Sequence, residues 1–175
     1  AFGGSIDGRG HTISNITVSD SSNALTGSLF KSFSGKLLNL NITNVQLSYL
    51  TNSNGYIGGI MGGISAYAND ATISNVRLSG NLQMMCSAWD GGVGGLIGGG
   101  TRVTVSNSYV EGSIELVDTD SNFGCGSYLI RAGGVFGYAA DGNLIRDSGT
   151  DMDIIASGSA TNDQNAAEVC SEVGS

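Results

Sequence analysis

Proline is absent from the 175 residues, although glycine occurs 29 times. Without its fixed φ, every change of direction falls to Gly, Asn, Asp and Ser. Histidine occurs once, at His11. One imidazole excludes a His-rich metal site, and no nucleophile is marked for it to activate, so His11 reads as a turn or surface residue. Cations are scarce: 7 Lys and Arg against 15 Asp and Glu give a net charge of −8. That balance excludes the basic footprint of a nucleic-acid binder and works against anionic membranes. No apolar run approaches the roughly 18 residues of a membrane span, so no insertion is expected in this segment. No stretch keeps a helical period over three turns; the best candidate, Asn165 to Val173, is a closing helical turn. No signal peptide is legible at Ala1. The chain starts inside a pattern, which we read as a mature form or an excised piece of a longer protein.

What is present is a repeat. Glycine-apolar stretches recur at Gly58-Gly59-Ile60-Met61-Gly62, Gly94-Gly95-Leu96-Ile97-Gly98 and Gly133-Gly134-Val135-Phe136-Gly137. Each is followed by a β-like run centred on Asn or Asp: Thr72-Ile73-Ser74-Asn75-Val76, Thr104-Val105-Ser106-Asn107-Ser108 and Leu144-Ile145-Arg146-Asp147-Ser148. Short Val/Ile/Leu runs bounded by turn residues are the strand signal. Repetition at this period indicates stacked rungs around a continuous core. An apolar content of 40% supports such a core and argues against disorder. The expected fold is therefore all-β: a single parallel β-helix, or β-solenoid, of about five rungs with variable loops, spanning residues 1–175 as one domain. At about 4.8 Å per rung the stack is about 24 Å tall.

The parse gives rungs at Phe2–Asn23, Leu25–Asn54, Tyr56–Asp90, Val93–Arg131 and Ala132 onward. Expected inward residues are Ile6, Ile13, Ile16 and Val18 in the first rung, then Leu29, Phe30, Phe33, Leu37, Leu40, Ile42 and Val45 in the second. A structural ladder of Asn15, Asn39, Asn75, Asn107 and Asp147 marks the corners, since Asn tolerates φ > 0 and stacks amide on amide. Variable loops are expected at Thr51–Gly55, Gln83–Asp90 and Asp118–Tyr128. Cys86 and Cys125 each lie eight residues before a repeated glycine, Gly94 and Gly133. Equivalent places on adjacent rungs suit a disulfide's Cα separation, which predicts a Cys86–Cys125 bridge and an oxidising compartment. Cys170 would share their column if another glycine pair followed Ser175, and would then pair with a missing rung or compete for Cys125.

Gly94-Gly95-Leu96-Ile97-Gly98 followed by Thr104-Val105-Ser106-Asn107 resembles the GLUG repeat. Phe2 to Ile13 resembles the opening rung often found before such repeats, and the likeness covers nearly the whole chain. The resemblance implies a parallel β-helix-like domain of large secreted or surface-attached, adhesin-like proteins. It carries over no catalytic residue. The aligned cysteines and the long third and fourth loops depart from the family's pattern.

Candidate chemistry is sparse. Glu111 and Glu115 share the outward face of the strand Tyr109–Val117, with Val110, Ile114 and Leu116 facing in. Four residues along a strand separate them by about 13 Å, too far for a carboxylate pair. Asp118, Asp120, Asp147, Asp151 and Asp153 leave a structural Ca²⁺ open, without EF-hand spacing. No other metal and no cofactor is expected. Asn15-Ile16-Thr17 and Asn41-Ile42-Thr43 match the glycosylation acceptor. Asn15 is expected to be buried in the ladder, leaving Asn41 as the acceptor that points outward. Trp89, Phe123 and Tyr128 lie in the long loops and are the candidate partner contacts, with Tyr109 and Tyr138 as further aromatics. Thr-x-Thr arrays on every rung, as ice binding needs, are missing.

These readings converge on a non-enzymatic extracellular structural or adhesion module. It would be a rigid spacer at the cell surface that presents loops to a protein or glycan, or self-associates into filaments. The alternative is a carbohydrate-active β-helix, a polysaccharide lyase or glycoside hydrolase fragment, resting on Glu111 and Glu115.

Overall fold

A computed structural model describes residues 1–20, 27–51, 59–86, 91–118, 130–158 and 168–170. Every named strand pairing within them is parallel, and none of them is helical. The broad sheet contains β1 (Ser5–Asp7), β2 (Thr12–Asp20), β4 (Lys36–Thr51), β7 (Thr72–Cys86), β10 (Thr104–Ser106), β11 (Tyr109–Asp118), β14 (Leu144–Arg146) and β15 (Gly149–Gly158). A second sheet holds β5 (Gly59–Gly62), β8 (Gly91–Gly94), β12 (Ile130–Gly133) and β16 (Glu168–Cys170). A third holds β3 (Phe30–Phe33), β6 (Ser65–Asn69), β9 (Ile97–Thr101) and β13 (Phe136–Ala139). From β3 onward the chain visits third, broad and second sheets in strict rotation, so each repeat adds one layer to all three.

Period-two alternation builds the core. Ile6, Leu37, Ile73, Val105 and Ile145 stand in one register column of the broad sheet. Val18, Leu47, Leu82, Ile114 and Ile154 form another. The middle members of each column are buried, while Ile6, Ile145, Val18 and Ile154 at its two ends are only partly covered. Val110, Ile114 and Leu116 are buried as inward residues of β11. Ile13 shares the column of the buried Ile42 yet is 49% exposed, because β2 has no described strand beyond it. Phe2, Phe30 and Phe33 pack ring on ring at this end, with Phe2 stacked at 5.8 Å on Phe33.

The glycine repeats serve close approach rather than turning. Among the described glycines only Gly10, Gly112 and Gly142 have positive φ, and none belongs to the repeated stretches. Gly63, Gly95 and Gly134 stack at equivalent places; a Cβ on either of the first two would run into the carbonyl oxygen of the next. A Cβ on Gly98 would sit 2.6 Å from the carbonyl oxygens of Ala66 and Met61, and one on Gly92 would sit 2.7 Å from Tyr138 N. The second and third sheets thus approach backbone to backbone, with no room for side chains between them.

Three expectations need correction. The segment around Glu168–Cys170 is strand, not helical turn, because its backbone pairs in register with β12. Gln83 to Cys86 continue β7 instead of opening a loop, held between β4 and β11. Thr51 and Asp118, expected to open loops, are the last residues of β4 and β11, and the remaining proposed loop residues, 52–55, 87–90 and 119–128, lie outside the described residues.

Candidate functional site

The Asn corners come first because they fix the outward face. Asn39, Asn75, Asn107 and Asp147 each follow a residue of one register column, Leu38–Ser74–Ser106–Arg146, and all four have φ near +50°. Asn75 Nδ2 donates to Asn39 Oδ1 at 2.9 Å, and Asn39 Nδ2 donates to Asp7 Oδ1 at 3.0 Å. That bond and the Arg9 N–H hold the Asp7 carboxyl below its ordinary range. Asn15 is not a member of this column. It lies beside Asn44, whose Nδ2 donates to Asn15 Oδ1 at 2.7 Å, and it is exposed rather than buried. Asn44 is the extra residue of a bulge between Ile42 and Val45, and the bulge is what gives β2 and β4 a second Asn corner. Asn41 is half-buried on the outward side, with Nδ2 3.5 Å from Gly10 O.

Beyond the corners, the outward face of the broad sheet is built of polar columns. Thr17, Gln46, Asn81, Ser113 and Asp153 share one register position; Ser19, Ser48, Gln83 and Glu115 share the next outward one. Ser113 Oγ donates to Asn81 Oδ1 at 2.9 Å, and Gln83 Nε2 donates to Glu115 Oε2 at 2.8 Å. Between these columns runs a shallow depression of about 370 Å³. A smaller one, about 200 Å³, lies beside Thr12, Asn41, Thr43, Arg77, Tyr109 and Glu111. The columns were hidden in the sequence because each member lies six residues after its corner, at Asn81, Ser113 and Asp153, but seven after it at Gln46, where the bulge intervenes.

Glu111 and Glu115 rim different depressions, and Ser113 stands between them on β11. Among the described residues no three His, Cys, Asp or Glu side chains converge for a metal. Asp151 and Asp153 are exposed on β15, Asp118 is described by its backbone alone, and Asp120 lies outside the described residues. His11 is exposed. The one ion pair among the described residues joins Arg102 to Asp70 at 2.6 Å on a corner; the guanidinium holds the Asp70 carboxyl below its usual range. Tyr138 lies under the Arg131 guanidinium, 5.3 Å from the ring centre.

Cys86 and Cys170 do not share one column. Cys86 ends β7 in register with Thr51 and Asp118, whereas Cys170 pairs with Gly133 in the second sheet. Cys125, Trp89, Phe123 and Tyr128 lie outside the described residues. No described helix is long and apolar enough to cross a membrane. No family model, curated protein or solved structure matches the chain.

Proposed function

We propose that the three sheets are the faces of one parallel β-solenoid, and that the chain is a non-enzymatic structural or adhesion module of the extracellular space or cell surface. The observation that carries this reading is the strict rotation of the chain through three parallel sheets, five strands deep in the broad one. Each layer hydrogen-bonds only its neighbours, which makes a stiff stack whose function resides in its faces and loops. The resemblance of the glycine stretches to GLUG repeats, the scarcity of Lys and Arg and the proposed Cys86–Cys125 bridge support the location.

Scattering and binding test it together. Small-angle scattering should fit a layered particle about 24 Å along the stack and wider across it. A protein and glycan binding screen should yield a ligand whose binding Trp89→Ala or Phe123→Ala weakens at unchanged melting temperature. A profile that this layered stack does not fit sinks the solenoid. Ligand binding that survives every loop substitution sinks the loop-presentation role.

The carbohydrate-active reading has one observation in its favour: Glu111 and Glu115 both rim depressions on the same outward face. Their separation along one strand exceeds the span of a glycosidase carboxylate pair, about 5–9.5 Å. Turnover of a polysaccharide panel, abolished by Glu111→Ala or Glu115→Ala, would reinstate it.

A further inference from the structure

Two neighbouring polar columns on the outward face of the broad sheet carry hydrogen bonds that run in opposite directions. In the first, Ser113 Oγ donates to Asn81 Oδ1 at 2.9 Å and Asn81 Nδ2 to Gln46 Oε1 at 3.5 Å, so donation runs from β11 toward β4. In the second, Ser48 Oγ donates to Gln83 Oε1 at 3.4 Å and Gln83 Nε2 to Glu115 Oε2 at 2.8 Å, so donation runs from β4 toward β11. Among the described residues each amide nitrogen uses at most one of its two N–H donors in these ladders. Gln46 keeps both of its donors at one end of the first column, and the acceptor-only carboxylate of Glu115 closes the second. The ladders also hold long side chains in place before any ligand arrives, which lowers the entropy lost on binding.

A ligand that fits this pair of columns must donate and accept within one small unit, and must repeat at the layer spacing of about 4.8 Å. A sugar chain does both. Each hydroxyl is donor and acceptor at once, and a β-linked pyranose lengthens an extended chain by nearly one layer per unit. A peptide matches less well. β4, β7 and β11 are each paired on both sides, so they offer no backbone edge for an added strand. The depression of about 370 Å³ between the columns has no aromatic lining, and its apolar members Leu47 and Leu82 belong to the buried core. Charge selects among sugars. Glu111, Glu115, Asp151 and Asp153 share this face with the single guanidinium of Arg77, a balance that repels uronate, sulfate and sialate groups.

We propose that an extended, neutral, β-linked glycan lies in this depression across β4, β7 and β11, one sugar to a layer, its hydroxyls bridging the Gln46–Asn81–Ser113 column and the Ser48–Gln83–Glu115 column. The glycan is bound and no bond in it is broken. The inference rests on the adhesion reading, whose ligand class it names, and it needs only the broad sheet.

Titration calorimetry on the chain tests it, with cellohexaose and xylohexaose as neutral β-linked probes, maltohexaose as the α-linked one and a β-linked mannuronate hexamer as the anionic one. The expected result is that a neutral β-linked chain binds at least about tenfold tighter than either of the others. Its affinity should rise with length and level off at about four units, because Thr17 and Ser19 on β2 line a fourth layer of the depression. Asn81→Ala and Gln83→Ala should each weaken binding about fivefold to tenfold, the worth of one or two hydrogen bonds. Far-UV circular dichroism and a urea midpoint verify that each variant folds. Should Gln83→Ala unfold through loss of its Glu115 bond, Gln46→Ala, exposed at the end of its ladder, carries the same test. No binding of either neutral β-linked chain, equal binding of maltohexaose or the mannuronate, or binding indifferent to all three substitutions overturns the proposal. Glycan binding that falls only with Trp89→Ala or Phe123→Ala also overturns it, yet leaves the adhesion reading standing. A chain that binds nothing in the protein and glycan screen removes both.

Discussion

Gly98→Ala places one methyl group where the second and third sheets touch. The added Cβ would lie 2.6 Å from Ala66 O, 2.6 Å from Met61 O and 2.9 Å from Met61 N. All three are backbone atoms, so no rotamer change relieves the overlap. Reaching an ordinary separation of about 3.4 Å requires β9 to move by roughly 0.8 Å from two strands at once, against close-packed layers. Overpacking of this kind costs about 1–3 kcal/mol, and a site walled by backbone falls at the upper end. Alanine returns about 0.4–1 kcal/mol by restricting the unfolded chain. The net expectation is a loss of about 2 kcal/mol, or roughly 4–8 °C in melting temperature for a chain of this length. Gly149→Ala is the control: its Cβ would meet only the Tyr109 ring, at 3.3 Å, which yields by a few tenths of an ångström. Urea titrations followed by circular dichroism compare the two. If Gly98→Ala stays within about 0.5 kcal/mol of the parent chain, the repeated glycines are not there for backbone approach and the argument fails.

Thr150 carries a buried hydroxyl with no hydrogen-bond partner among the described residues, in a column otherwise made of Ile13, Ile42, Leu78 and Val110. Thr150→Val should therefore raise stability by about 1 kcal/mol in the same titration, and a loss would show that the hydroxyl is satisfied. Asp7 and Asp70 both have carboxyls held below the ordinary value of 3.8 in the folded chain. The unfolded state then binds protons first, so their contribution is full above that value and is lost as pH falls below it. Asp70→Asn should flatten the acid limb of the stability curve; an unchanged limb would put the acid sensitivity elsewhere. Thiol labelling of the native protein should find Cys86 and Cys125 unreactive until reduction, whereas three reactive thiols would disprove their bridge.

The repeat was legible because its physical causes are local. Glycine where backbones touch, Asn where φ is near +50°, and alternation along strands all write themselves into short strings. What escaped depended on register. A single extra residue, Asn44, moves every later outward position of β4 by one, and Asn15 faces Asn44 because Asp7 and Gly8 already take the first layer's place at the Asn39 corner. Counting gaps between asparagines cannot reveal that, since the count treats bulge and loop insertions alike. Cys170 leaves the position of Cys86 for the same reason: distance to a following glycine measures loop length as well as position. Ile13 was placed on the correct face, but face alone does not bury a residue whose layer has no neighbour.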